Sequence, residues 1–113
     1  MNTNGIEHMV IETYDWEAGL AFWGGLGYEI EHDTGHRSGM LRNPAGGPGL
    51  FLREQSMEEP LGFDLYLSTA SAAGFVVPAN AVVVRPFTDT HWGTKVMSLR
   101  DPDGRLLRIE DPE

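Results

Sequence analysis

Six residues in the first half of the chain, Leu41-Arg42-Asn43-Pro44-Ala45-Gly46, are matched in the second half by Leu99-Arg100-Asp101-Pro102-Asp103-Gly104. Each string ends an apolar strand in a basic residue and then turns the chain with Asn or Asp, Pro and Gly. A Leu-X-X-Arg strand follows the first turn (Leu50, Arg53), and Leu106-Leu107-Arg108 follows the second. One duplication is too few for a solenoid, in which three or more repeats share a core. It implies two copies of one supersecondary unit, each needing the other to cover its sheet. At 113 residues there is room for a single domain, and one this small buries only about 60–70% of its unfolded surface. The division expected is a first module over 5–54, a joint over 55–60 and a second module over 61–112.

The rest of the sequence fits that plan. Ile6–Thr13 alternates as a strand, with Met9 and Ile11 on one face and His8, Val10 and Glu12 on the other. Asp15 has helix N-cap chemistry, with Glu17 in the first turn. Trp16, Leu20 and Trp23 then recur at helical spacing, followed by Leu26, and Gly27 is a left-handed terminator. Strands are expected over 28–33, 36–42 and 49–53. After the joint, residues 62–68 alternate with Phe63, Leu65 and Leu67 on one face. A short helix is expected over 69–75, then strands over 81–86, 94–100 and 105–110. The class is α+β: two tandem βαβββ modules forming curved mixed sheets with a concave cup.

Composition excludes several functions. With no Cys there is no disulfide framework, thiolate zinc site or cysteine nucleophile. Seventeen acids against eight bases, a net charge of −9, argue against nucleic acid, which binds through Lys and Arg. The acid excess favours cationic ligands at long range and serves solubility equally well. No apolar run is long enough for a membrane helix, and no secretory leader is visible, so a cytoplasmic protein is expected. Gly24-Gly25 and Gly46-Gly47 lack the strand–loop–helix context of phosphate-cradling loops.

The string from Thr88-Asp89-Thr90-His91-Trp92-Gly93 through Asp101-Pro102-Asp103-Gly104 to Arg108-Ile109-Glu110 resembles the C-terminal signature of the vicinal oxygen chelate superfamily, which contains glyoxalases, bleomycin-resistance proteins and extradiol dioxygenases. Ile6 to Ile11, Asp15 to Ala18, Phe22-Trp23 and Leu26-Gly27-Tyr28 resemble its N-terminal unit. The resemblance covers nearly the whole chain and implies the paired-module fold and a homodimer. It also implies a divalent metal held in the cup by His and Glu from the first and last strands, with open positions that polarise substrate oxygens.

Carried over position by position, the metal ring reads His8, Leu52, Gly62 and Arg108, where the metal enzymes carry Glu at the last. A guanidinium repels a cation, so the expectation is a metal-free protein without a cofactor. Glu110 and Asp64 share the cup face and would supply a ligand only in a shifted register. His8 alone reads as a polar pocket contact or an ordinary hydrogen-bonded strand histidine.

The candidate ligand-binding residues are His8, Glu12, Leu52, Asp64, Tyr66, Trp92, Arg108 and Glu110. Trp92 offers a stacking surface or covers a sheet edge, whereas Trp16 and Trp23 read as core. Asp89 either meets a positive group or is simply solvated. Arg108 either touches ligand or pairs with Glu110 or Glu12. The function expected is metal-free sequestration of a small aromatic or cationic molecule, similar to antibiotic-resistance proteins. The alternative is a metal-dependent lyase, isomerase or dioxygenase using His8 and Glu110. A metal-free enzyme with His8 or Asp64 as general base is a third possibility. Neither nucleic acid nor membrane is expected as a partner.

Overall fold

A computed structural model describes residues 2–113 and contains one helix and eight strands among them. The chain divides into two compact units, His8–Phe63 and the residues up to Glu7 together with Asp64–Glu113. The break in the first strand, at Glu7, is absent from the module boundaries read from sequence.

The first unit contains most of β1 (Ile6–Thr13), then α1 (Trp16–Gly25), β2 (Glu29–Asp33), β3 (Ser38–Arg42) and β4 (Gly49–Glu54). Its strand order is β2-β3-β4-β1, antiparallel except for the parallel pair β1 and β4. Asp15 caps α1 as its sequence requires, its Oδ1 accepting from the Ala18 N–H at 3.1 Å. The Glu54 carboxylate accepts from the Trp16 N–H at 2.9 Å, placing a second negative charge at the positive end of the helix. Trp16, Leu41, Leu50 and Leu52 form the buried core, with Ile11, Leu20, Trp23 and Tyr28 packed on it. Gly39 lets the Trp16 ring lie close: a Cβ there would stand 3.3 Å from the indole and 2.7 Å from the His32 carbonyl oxygen.

One strand face departs from expectation. Alternation that puts Leu52 on the His8 face, as a candidate ligand-binding residue, also puts Leu50 there and turns Phe51 to the core. The parallel register instead sets Met9 beside Leu50 and Ile11 beside Leu52, with Val10 beside Phe51. Leu52 has no exposed surface and lies beneath α1, where its Cδ2 would stand 3.0 Å from a Cβ at Gly19. It belongs to the core. Leu50-Phe51-Leu52 is apolar on both faces, so alternation alone carries no phase for this strand.

The second unit contains β5 (Phe63–Ser68), β6 (Val82–Asp89), β7 (Lys95–Arg100) and β8 (Leu106–Asp111). Their order, β5-β8-β7-β6, with β5 and β8 parallel, repeats the arrangement of the first unit. The duplicated sequence thus yields a duplicated topology. Met97, Leu99 and Ile109 form its buried core, joined by Leu67 and Leu107.

The helix expected over 69–75 does not form; residues 70–81 run as turns. Gly74, two β-branched valines and Pro78 crowd a segment too short to repay helix nucleation. Phe75 and Val77 cover the core instead, and Phe75 meets Phe87 edge-on at 5.9 Å. The segment is held from both sides. The Asp111 carboxylate accepts from the Ala72 N–H at 2.7 Å, and the Asn2 side chain exchanges two hydrogen bonds with Val76. No helix among the described residues is long and apolar enough to cross a membrane.

Candidate functional site

In the second unit, β5, β8, β7 and β6 turn alternate side chains away from the Leu67–Ile109 core. Their register lines up one row across four strands: Tyr66 opposite Arg108, Arg108 opposite Ser98, and Ser98 opposite Arg85. All four line a cavity of about 270 Å³. The next row adds Thr88 and Val96. Arg85 and Thr88 are three residues apart and would face opposite ways on a regular strand. The register shift between them in β6 puts both on the cavity. Pro86 sits inside that irregular stretch of a strand paired only through β7, where its missing N–H breaks no ladder.

The hairpin loop between β6 and β7 forms the far wall. Thr90 and Thr94 close it with main-chain and hydroxyl hydrogen bonds, and Gly93 takes a φ of 91° that favours glycine. The loop carries His91 and Trp92, whose rings meet edge-on at 4.8 Å. The Trp92 indole N–H donates to Glu110 Oε2 at 2.9 Å, and the Thr94 hydroxyl donates to the same oxygen at 2.9 Å. Glu110 therefore orients the loop. Trp92 keeps 53% of its surface exposed, a flat face fixed in direction and open to contact.

At the floor, Arg108 donates through Nη1 to Ser98 Oγ at 2.6 Å and stands 3.7 Å through Nη2 from Asp64. The Arg108 partner is thus Asp64, rather than the Glu110 or Glu12 considered from sequence. Its Nε is buried and has no acceptor among the described residues. Asp89, at the rim, pairs with Lys95 at 3.2 Å.

Of the sequence candidates, Tyr66, Trp92 and Arg108 line the cavity directly, while Asp64 and Glu110 hold cavity residues from behind. Arg85, His91 and Ser98 were not among them. For Arg85 and Ser98 the missing signal was the pairing register, which no single strand displays. His91 stands beside Trp92 in a loop, where strand alternation gives no direction for a side chain.

The remaining candidates, His8, Glu12 and Leu52, belong to the first unit. His8 is half-buried on β1 opposite Gly49, and Leu52 is core. Glu12 is buried with both carboxylate oxygens engaged. Oε1 accepts from the Gly62 N–H, and Oε2 accepts from Arg53 at 2.9 Å and Gln55 at 3.1 Å. Burial alone would raise its pKa. The hydrogen bonds from Gly62, Arg53 and Gln55, with the Arg53 charge, more than offset this and hold it below the usual carboxylate range.

The donor set does not fit the divalent metal that the resemblance implies. Gly62 offers no ligand, and a Cβ there, 2.7 Å from Glu12 Oε1, would displace the Glu12 carboxylate from its bonds. Leu52 is sealed in the core, and Arg108 is a cation bonded to Ser98. Among the described residues no three His, Asp or Glu side chains gather at metal-binding distance. Glu110 already accepts two hydrogen bonds from the Trp92 loop.

No protein-family model matches the chain, and no curated protein matches it. Solved structures do. Methylmalonyl-CoA epimerase from Mycobacterium tuberculosis is similar over 99% of this chain and 90% of that one, at a TM-score of 0.69 and 14% identity. A glyoxalase/bleomycin resistance protein/dioxygenase superfamily member from Vibrio splendidus 12B01 is similar over 90% of this chain and 94% of that one, at 0.62 and 18%. The Mn(II)-bound glyoxalase from Novosphingobium aromaticivorans is similar over 97% of this chain, which spans 40% of that protein, at 0.69 and 17%. At such identities the likeness is one of fold. The chain has the fold of the glyoxalase/bleomycin resistance protein/dioxygenase superfamily, the vicinal oxygen chelate architecture that the resemblance implies.

Proposed function

We propose that the protein binds a small planar molecule, without a metal, in the cavity between the β5–β8–β7–β6 row and the Trp92 loop. The observation that carries this reading is the Trp92–Glu110 bond, which presents an exposed indole face over a polar floor. A few placed polar groups beside aromatic walls are what a small-molecule site needs. About 270 Å³ lies just below the usual range for drug-sized ligands, about 300–1,000 Å³. It suits one or two fused rings better than a glycopeptide antibiotic. The fold does not decide between binding and catalysis, since a Mn(II)-bound glyoxalase and an epimerase share it. The residues do favour one side: a cationic Arg108 at the last-strand position supports binding over metal chemistry.

Nuclear magnetic resonance titration of the EDTA-treated protein with 2-naphthol tests the proposal. Saturable shifts are expected at the Trp92 indole N–H, identified by its loss in Trp92→Phe, and at the Val96 and Ser98 amides. Binding that appears only after a divalent metal is restored would refute it, as would shifts scattered away from these residues.

A further inference from the structure

The charges around the cavity are unequally matched. Asp89 is paired with Lys95 at 3.2 Å, Glu110 Oε2 accepts from Trp92 and Thr94, and Asp64 faces Arg108 at 3.7 Å. Among the described residues no carboxylate pairs with Arg85, whose side chain is exposed and lines the cavity. Arg85 and Arg108 stand on either side of Ser98 in one cross-strand row. Their backbones are therefore about 10 Å apart, two strand spacings. The Ser98 Oγ accepts from Arg108 at 2.6 Å, which leaves its own proton to donate. Two guanidinium groups and a hydroxyl thus converge on one side of the cavity, with the Trp92 and His91 rings in the loop opposite.

We infer that the cavity selects an aromatic molecule bearing a carboxylate, the ring against Trp92 and the carboxylate on Arg85 with Ser98 and Arg108. This inference rests on the binding role proposed above and names its ligand class. It takes the aromatic side of the aromatic-or-cationic alternative and sets aside the cationic ligand that the net charge of −9 would favour. Net charge sets the distant field, whereas contacts within a few ångströms decide what a cavity holds. A planar guanidinium meets a carboxylate through two parallel hydrogen bonds, a geometry an ammonium cannot reproduce.

Titration calorimetry with three probes of one shape tests the inference: 2-naphthoate, 2-naphthamide and 2-naphthylmethylamine, which is cationic near neutral pH. The expected order is naphthoate tightest, by about tenfold over the amide, with the amine weakest. In Arg85→Gln the naphthoate advantage over the amide is expected to fall to about threefold or less. Arg85→Lys is expected to restore only part of it. Because Arg85 is exposed on an edge strand, these variants leave the core intact. If the amide or amine binds as tightly as naphthoate, or Arg85→Gln keeps the preference, the carboxylate inference is overturned and the binding role stands. If none of the three binds, both fall.

Discussion

Glu12→Gln removes one charge from a buried position and changes almost no volume. In the native protein Glu12 ties the end of β1 to both sides of the joint, through Arg53 and Gln55 on one side and the Gly62 N–H on the other. Glutamine can still accept from Gly62. Its amide nitrogen, however, would face the Arg53 guanidinium and the Gln55 amide, donors against a donor. A hydrogen bond to a charged group contributes about 1.5–3 kcal/mol, and Arg53 is half exposed, with 52% of its side chain open, which lowers its share. The expected loss is therefore about 2 kcal/mol near neutral pH. With a urea dependence of about 1–3 kcal/mol per molar, the unfolding midpoint should fall by about 1 M.

The pH dependence follows from the depressed pKa. The unfolded chain binds a proton at the ordinary glutamate value, about 4.3, before the folded one does. The contribution of Glu12 is thus fully present above that value and is lost as pH falls through the folded pKa. Urea curves for native protein and variant should be about 1 M apart near pH 7, the gap narrowing below about pH 4.3. Comparing the two proteins at each pH cancels the other carboxylates. A gap that is absent at neutral pH, or unchanged into acid, would refute the role assigned to this carboxylate.

Other substitutions test the remaining assignments. Leu52→Ala should cost about 2–5 kcal/mol in urea unfolding, the range for emptying a packed core site, and leave 2-naphthol affinity unchanged; a large affinity loss in the folded variant would return Leu52 to the site. Asp15→Ala should cost about 1 kcal/mol by removing the α1 cap, and an Asn in its place should recover most of that in the same assay.

Much of this protein was readable in its sequence, for reasons that lie in short-range chemistry. The duplicated Pro-Gly turns announced the strand order that recurs, and Asp15 with Trp16, Leu20 and Trp23 announced the helix. Clean alternation placed Tyr66, Arg108 and Glu110 on one face of their strands, because one face of each is apolar and only one phase buries it. Trp92 was legible as a loop aromatic with no helical partner.

Long-range pairing decided the rest. Leu50-Phe51-Leu52 has no polar member to mark its phase, so only the register with β1 showed that the two leucines, and not Phe51, join the Trp16 core. Arg85 entered the site through an irregularity in β6, and Ser98 through its place between two arginines that are far apart in sequence. The second helix was lost to Gly74 and Pro78, and the core it would have covered took Phe75 and Val77 in its stead. Strand alternation is a property of neighbours in the chain, whereas the charge and shape of a cavity are properties of neighbours in space. That is why the face of Arg108 could be read from its strand, while its partners, Ser98 and Asp64, had to be found in the folded protein.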